Sequence, residues 1–453
     1  FSTEIGIMSA AHIGNLTDLI AAIESPRPTV IEPFSYALRR PYQDIRHNLL
    51  KTSAFWRIDD ANKLSLTLAR QHNLRREYDK HRPRNDSLAA RNLPELQFAL
   101  TTYTGELLWE QTNHKRYTAD WGLSGTYQDN VFTGRSFIPN FVSMSGGVFS
   151  IHRYHVGKWQ WEGGIRYDYK WIHSAYRNLG QVVRDQFHFQ NVSGSLGAIY
   201  TLAPGLELKA HAGTAWRAPN VNELFSDGVH HGTASVELGD PTLVPERAIN
   251  AIATLVYSGR GIFQTEISLY HNTIDDFIYL RPDPQPTLTI RGAFPTFRYG
   301  QVDARLSGAD MVFKLHPIPA ITWIGKASWL SAHNRSDDEP LIFMPANRIE
   351  NILKWNLEHV LDLPDAFLSL SGRHVMRQNR VPDRDGDYAP PPEAYTLFGI
   401  EGGARIPWGR QTLFAGFTIS NLFNTTYRDY LNRFRYYADE PGRNVSLRFQ
   451  FQF

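Results

Sequence analysis

The sequence predicts an all-β fold, a transmembrane antiparallel up-and-down β-barrel with about 18 strands in this chain. Three observations predict it. Apolar and polar residues alternate with a period of two over long segments. Short turns rich in Gly, Pro and Asp interleave with longer polar links. Aromatic residues make up 13% of the 453 residues and recur from end to end, as interface girdles require.

Taken in chain order, a long link at 10–44 comes first. Residues 11–23 within it have helical composition with Thr17 or Asp18 as cap, and His12 lies just inside its start. From there the short links are 59–61, 113–115, 156–157, 203–205, 259–261, 317–319, 362–364 and 407–409. The further long links are 79–95, 129–140, 174–186, 218–245, 279–304, 333–345, 378–392 and 423–442, so long and short connections alternate throughout. The segment 159–171 shows the strand pattern best: Trp159, Trp161, Ile165, Tyr167, Tyr169 and Trp171 share one face, and Gln160, Glu162, Arg166, Asp168 and Lys170 the other. Segments at 206–216, 263–269, 323–329 and 353–359 repeat it. The chain closes on Val445, Leu447, Phe449, Phe451 and Phe453 against Asn444, Ser446, Arg448, Gln450 and Gln452.

Composition narrows the class. Lys and Arg number 47 against 45 Asp and Glu, so no basic excess points to nucleic acid as a partner. Cysteine is absent, which excludes a disulfide framework and Cys-based metal sites. Mean hydropathy is −0.37 and no apolar run is long enough for a spanning helix. Strands of roughly 10–15 residues suit a tilted crossing of the hydrocarbon layer. A sheet edge left in lipid would strand backbone N–H and C=O groups without partners, so the sheet must close. About 16–18 strands enclose a water-filled channel, and about 22 a lumen that needs a plug.

Two stretches carry a resemblance. Trp216, Arg217, Ala218, Pro219 and Glu223, followed by Gly239, Asp240, Pro241, Thr242 and Leu243, resemble the RAP-to-NPxL region of TonB-dependent outer-membrane receptors. Asn421-Leu422-Phe423-Asn424, Tyr427 and Pro441-Gly442-Arg443 before the last strand are similar to the same family's ending. The resemblance implies a 22-stranded barrel around an N-terminal plug, coupled to the TonB-ExbB-ExbD complex and embedded in outer-membrane lipid. Counting back from Phe453 as strand 22 puts Phe1 near strand 5, so the plug and about four strands are expected upstream. The terminal Phe453 matches the residue through which the family engages the barrel-assembly machinery; it also reads as a lipid-facing aromatic.

The resemblance further implies a small metal complex as ligand, siderophore–iron first, haem or zinc next, with no covalently bound cofactor. In haem receptors of the family a His between the two motifs ligates iron, and His230 and His231 occupy that region, with Asp227 and Glu237 beside them. Imidazole suits haem iron or zinc, and adjacent His in extended chain point apart, so one of them is the natural ligand. Gly239–Leu243 stands where haem receptors carry Asn-Pro-Asn-Leu, and a solvated polar loop is the alternative reading. Arg217 and Glu223 bind an anionic ligand or pair with each other. Asp383, Asp385 and Asp387 have the oxygen spacing of half a calcium loop, but without the terminal Glu or flanking helices they read first as an ordinary acidic loop. No Gly-rich phosphate loop, HExxH or GxSxG is present, so no enzyme is expected. The competing readings are a passive 18-stranded porin and a surface adhesin.

Overall fold

In a closed or nearly closed sheet every backbone group finds its partner on a neighbouring strand, and a meander achieves this with the shortest connections. The computed structural model describes residues 2–4, 14–28, 31, 35–37, 42–78, 91–114, 116–178, 181–259, 261–289, 292–383, 386–409 and 411–452. Eight long strands come first: Tyr42–Arg57, Asn62–Tyr78, Leu96–His114, Tyr117–Gly134, Asn140–Val156, Trp159–Asn178, Gln181–Ala203 and Leu206–Arg217. Nine follow: Glu246–Gly259, Phe263–Pro282, Thr296–Ile318, Ile321–Asn334, Arg348–Asn356, Phe367–Val375, Tyr395–Trp408, Gln411–Ser420 and Asn444–Gln452. Each pairs antiparallel with the next in one sheet. The short piece Ser2–Glu4 adds to the first, through Ser2↔Asp44. These seventeen long strands and one short piece match the expected count of about 18.

Alternation sorts the side chains as the sequence requires. In strand Trp159–Asn178 the apolar Trp159, Trp161, Ile165, Tyr167 and Tyr169 are exposed, while Arg166, Asp168 and Lys170 face the lumen and are less exposed; Gln160 and Glu162, beside the short turn, are exposed too. Apolar residues are thus the outer surface, inverted relative to a water-soluble core, as lipid demands. Inside, Arg166 Nε donates to Asp168 Oδ1 at 2.7 Å along its own strand and its NH2 to Ser124 Oγ at 2.8 Å on another, so lumen polar groups satisfy one another. Near one rim Trp109, Trp121, Tyr154, Trp159 and Trp161 are exposed together, an aromatic girdle beside the short turns.

The connections correct the sequence reading in places. Long and short links do not alternate throughout: 129–140 contracts to residues 135–139, and 174–186 is mostly ladder, paired up to Asn178↔Gln181. Polar composition reads as a link, but a strand rising above the apolar band is wet on both faces and is polar too. The link at 362–364 falls in a turn where Asp362 and Asp365 adopt φ of 53°, preceded by the one-turn helix Glu358–Leu361. The early helix spans Leu16–Glu24, and its cap is Asn15, whose Oδ1 accepts from Asp18 N at 2.9 Å; Thr17 and Asp18 lie inside it. His12 lies outside the described residues.

The two-faced wall makes a direct prediction on adjacent residues. Val192→Arg places a cation on the lipid face and should cost about 2–4 kcal/mol near the bilayer midplane, whereas Asn191→Arg faces the lumen opposite Asp168 and should cost little. Denaturant unfolding from lipid vesicles measures both.

Candidate functional site

The long connection 218–245 turns inward. Strand Leu206–Arg217 stops pairing with Gln181–Ala203 above Ser195↔Gly213, which frees the chain to leave the wall. Ala218 and Pro219 are buried, and helix Val221–Phe225 then packs Val221 and Leu224 against Ile172, Leu243 and Ile278. Glu223 Oε2 accepts from Asn220 N at 2.7 Å and closes the helix start. Phe225 meets Phe187 edge-on at 5.8 Å between ring centres. Gly239 is required here, because a Cβ would lie 2.5 Å from Phe225 N. Asp240 Oδ1 accepts from Thr242 N at 2.8 Å and Thr242 Oγ1 at 2.6 Å, an Asx turn carrying exposed Pro241 and aiming Leu243 into the apolar cluster.

Beyond the helix, strands Asp227–His230 and Ser235–Leu238 form a hairpin that crosses the barrel mouth. Along one edge Asp227 N donates to Phe137 O at 3.1 Å, in the connection 135–139. Along the other, Ser235–Leu238 pairs in parallel with the start of strand Thr296–Ile318, Val236↔Thr296. Helix Leu16–Glu24 caps this layer, with Leu19 and Ala22 against Ala234, Phe297 and Tyr436.

The charged groups of the crossing segment are largely committed. Arg217 bridges Glu223 and Glu246, NH1 to Glu223 Oε2 at 2.7 Å and NH2 to Glu246 Oε1 at 2.7 Å, the pairing alternative for Arg217 and Glu223. His230 Nδ1 lies 2.9 Å from Glu237 Oε1, and Arg433 NH1 donates to the same oxygen at 2.7 Å. Burial of Glu237 pushes its carboxyl up, but the His230 hydrogen bond and the Arg433 charge outweigh it and hold it below the ordinary value of 4.5. An ionised carboxylate only accepts, so Nδ1 carries the proton on that side, and when the ring is neutral Nε2 keeps the lone pair, the arrangement in which a carboxylate orients a metal-ligating imidazole. His230 and Glu237 border a cavity of about 480 Å³ with Tyr299, Lys170, Phe141 and Arg433.

The other sequence-predicted residues lie apart from this cluster. Asp227 is exposed at the far end of the hairpin, and nothing is described of the His231 side chain. Asp383 is exposed, and Asp385 and Phe453 fall outside the described residues. Asp387 is occupied by Arg435 and Tyr436, which bind one carboxylate oxygen each. Among the described residues no group of three His, Asp or Glu is arranged to hold a metal ion. Sequence reasoning does not single out Arg433 and Arg435, although the run Arg433-Phe434-Arg435-Tyr436-Tyr437 is unusually aromatic for a surface link. Tyr388 is not singled out either; its Oη donates to Asp283 O at 2.6 Å and accepts from Thr296 N at 2.9 Å, tying two connections together.

Comparison with known proteins follows this geometry. The profile of the family described as "TonB dependent receptor-like, beta-barrel" matches residues 22–422. The iron-regulated outer membrane virulence protein of Vibrio cholerae serotype O1 is 25% identical over 259 residues, covering 55% of this chain and 39% of that protein. The copper transporter OprC superposes with a TM-score of 0.69 at 19% identity, covering 89% of this chain and 64% of that one. The FrpB iron transporter from Neisseria meningitidis gives 0.66 at 15% identity, covering 90% and 63%. The chain therefore spans well under half of the Vibrio relative and less than two thirds of either transporter.

Two outcomes follow from the ion pairs. Arg217→Met leaves Glu223 and Glu246 facing each other and should destabilise the inward segment by about 3 kcal/mol, seen as faster proteolysis within 218–245. Because Glu237 is held below 4.5, its contribution is present above that pH and lost as pH falls through the lowered value. Protection of amides 227–238, taken relative to their intrinsic exchange rates, should hold at neutral pH and fall only below 4.5; Glu237→Gln should remove the dependence.

Proposed function

The chain belongs to the TonB-dependent receptor-like β-barrel family of the outer membrane, and on that premise we propose that it is the barrel of an energy-coupled importer of a small metal complex. The family implies TonB-dependent energy coupling in general and is not an enzyme class. Siderophore–iron is the first choice of ligand, with haem or zinc next. The observation that carries the reading is the His230–Glu237–Arg433 cluster on a hairpin that crosses the barrel mouth, with Nε2 of His230 free to ligate. Arg217, paired with Glu223 and Glu246, anchors the start of the crossing segment. The names of the similar proteins support a metal cargo, being those of an iron-regulated protein, a copper transporter and an iron transporter.

In this reading the ligand enters from the rim of the long connections and meets His230 in the cavity behind the hairpin. Glu237 fixes the imidazole tautomer, and Arg433 ties the hairpin to the connection 421–443, so engaging His230 perturbs both at once. Release into the periplasm is driven through a plug by TonB-ExbB-ExbD, and insertion uses the barrel-assembly machinery at Phe453. No specific observation favours the passive porin: the lumen mouth is crossed by the 227–238 hairpin.

Uptake of radiolabelled iron chelates, haem and zinc by cells carrying the natural full-length protein tests the reading. Import of one of them that stops when the proton motive force is collapsed is expected; flux that continues undiminished after collapse overturns energy coupling. His230→Ala should abolish high-affinity binding of the imported complex, and Glu237→Gln should weaken it about 10–100-fold.

A further inference from the structure

One lumen cation has no partner in the wall. Lys170 lies on the inward face of strand Trp159–Asn178, between Ser145 and Phe189 on the neighbouring strands, and borders the same cavity as His230. It is half-buried there, and its ammonium makes no hydrogen bond or ion pair among the described residues.

The other charged groups of that cavity are already satisfied. Arg75 donates to Glu77, which also accepts from Gln43 Nε2 at 3.2 Å. Arg433 and His230 share Glu237. From the crossing segment Glu223 acts on Lys170, but its carboxylate is spent on Arg217 and on Asn220 N, and the Arg217 charge opposes it. Tyr299 Oη accepts from Asn222 Nδ2 at 3.1 Å, and its own proton goes to no described residue. The unspent groups are thus both donors, an ammonium and a phenol, whereas the carboxylates of the cavity are engaged. Phe98, Phe137, Phe141 and Val229 line the same space and offer no acceptor. An ammonium withdrawn from water without a counter-charge is held at a cost that the anion of a ligand offsets.

We propose that Lys170 selects the cargo by charge, taking a free carboxylate of an anionic metal complex whose metal is held at His230. This rests on the import reading above and adds to it the charge class of the complex. One cavity of about 480 Å³ is bordered by both side chains, so a single small complex can engage them together. A charge-assisted hydrogen bond formed there, away from bulk water, separates anionic from uncharged complexes of the same metal by at least tenfold.

The test uses the natural full-length protein, purified in mild detergent and immobilised. It is offered two pairs of iron complexes: haemin with its dimethyl ester, and iron(III) citrate with the uncharged iron(III) tris(acetohydroxamate). Retention is read with radioiron, and contact by the rate at which acetic anhydride acetylates Lys170, followed by peptide mass spectrometry. In at least one pair the anionic member should be retained at least tenfold more and should slow that acetylation at least fivefold. Lys170→Met should lower retention of the anionic member about tenfold, leave the uncharged member unchanged, and keep or raise thermal stability, because an unpaired charge is removed; Lys170→Arg should keep the preference. If Lys170→Met does not insert, Lys170→Gln carries the same test. His230→Ala should lower both members alike; if it changes neither, the metal-ligand reading falls while the charge preference stands. Retention of no anionic complex, equal retention within both pairs, or a preference that survives in Lys170→Met would each overturn the proposal. Lost stability with the preference intact would do so too, by assigning Lys170 to a structural carboxylate.

Discussion

Backbone hydrogen bonding in a medium that offers no water is the constraint from which the rest of this structure follows. Each strand must satisfy its N–H and C=O groups on its neighbours, so consecutive strands pair in sequence and each short turn returns the chain at once. Strand Trp159–Asn178 pairs with both neighbours along nearly its whole length, from Val156↔Trp159 to Asn178↔Gln181. Side chains then have no choice of face: with period two fixed by the backbone, one set meets lipid and the other the lumen. Arg166, Asp168 and Ser124 pair inward because the outward alternative would desolvate them.

The same constraint relaxes above the apolar band, and there the chain becomes inventive. Leu206–Arg217 abandons its neighbour at Ser195↔Gly213, and the next 28 residues fold across the mouth instead of continuing the wall. That departure is stabilised by a compact apolar cluster around Leu224, Leu243 and Ile172, and by carboxylates shared between arginines. A hairpin held at Phe137 on one side and at strand Thr296–Ile318 on the other spans the opening, and its one oriented imidazole faces a cavity.

Legibility from sequence divides along the same line. The strands of 159–171 and 444–452 and the turns at 59–61 and 203–205 announce themselves, because alternation and turn chemistry are properties of a few adjacent residues. Links at 129–140 and 174–186 were overlong, since a strand wet on both faces has the composition of a loop. Within the candidate site, His230, Glu237, Arg217 and Glu223 stood out through local motifs, and the structure joins each to a partner. Arg433 did not stand out, because its partner lies 196 residues away and no periodicity links them.

The sequence by itself determined the sheet: a period of two, girdle aromatics and tight turns leave an up-and-down β-barrel as the arrangement in which lipid and backbone are both satisfied. It also marked the 218–245 connection as special, through Trp216–Pro219 and Gly239–Leu243. Only the tertiary structure decided that Asp387 binds Arg435 and Tyr436 and that Glu237 is shared by His230 and Arg433. The reason is physical. Strand identity follows from interactions between neighbours in the chain, whereas these pairings depend on which connections the wall brings together and which charges their packing deprives of water.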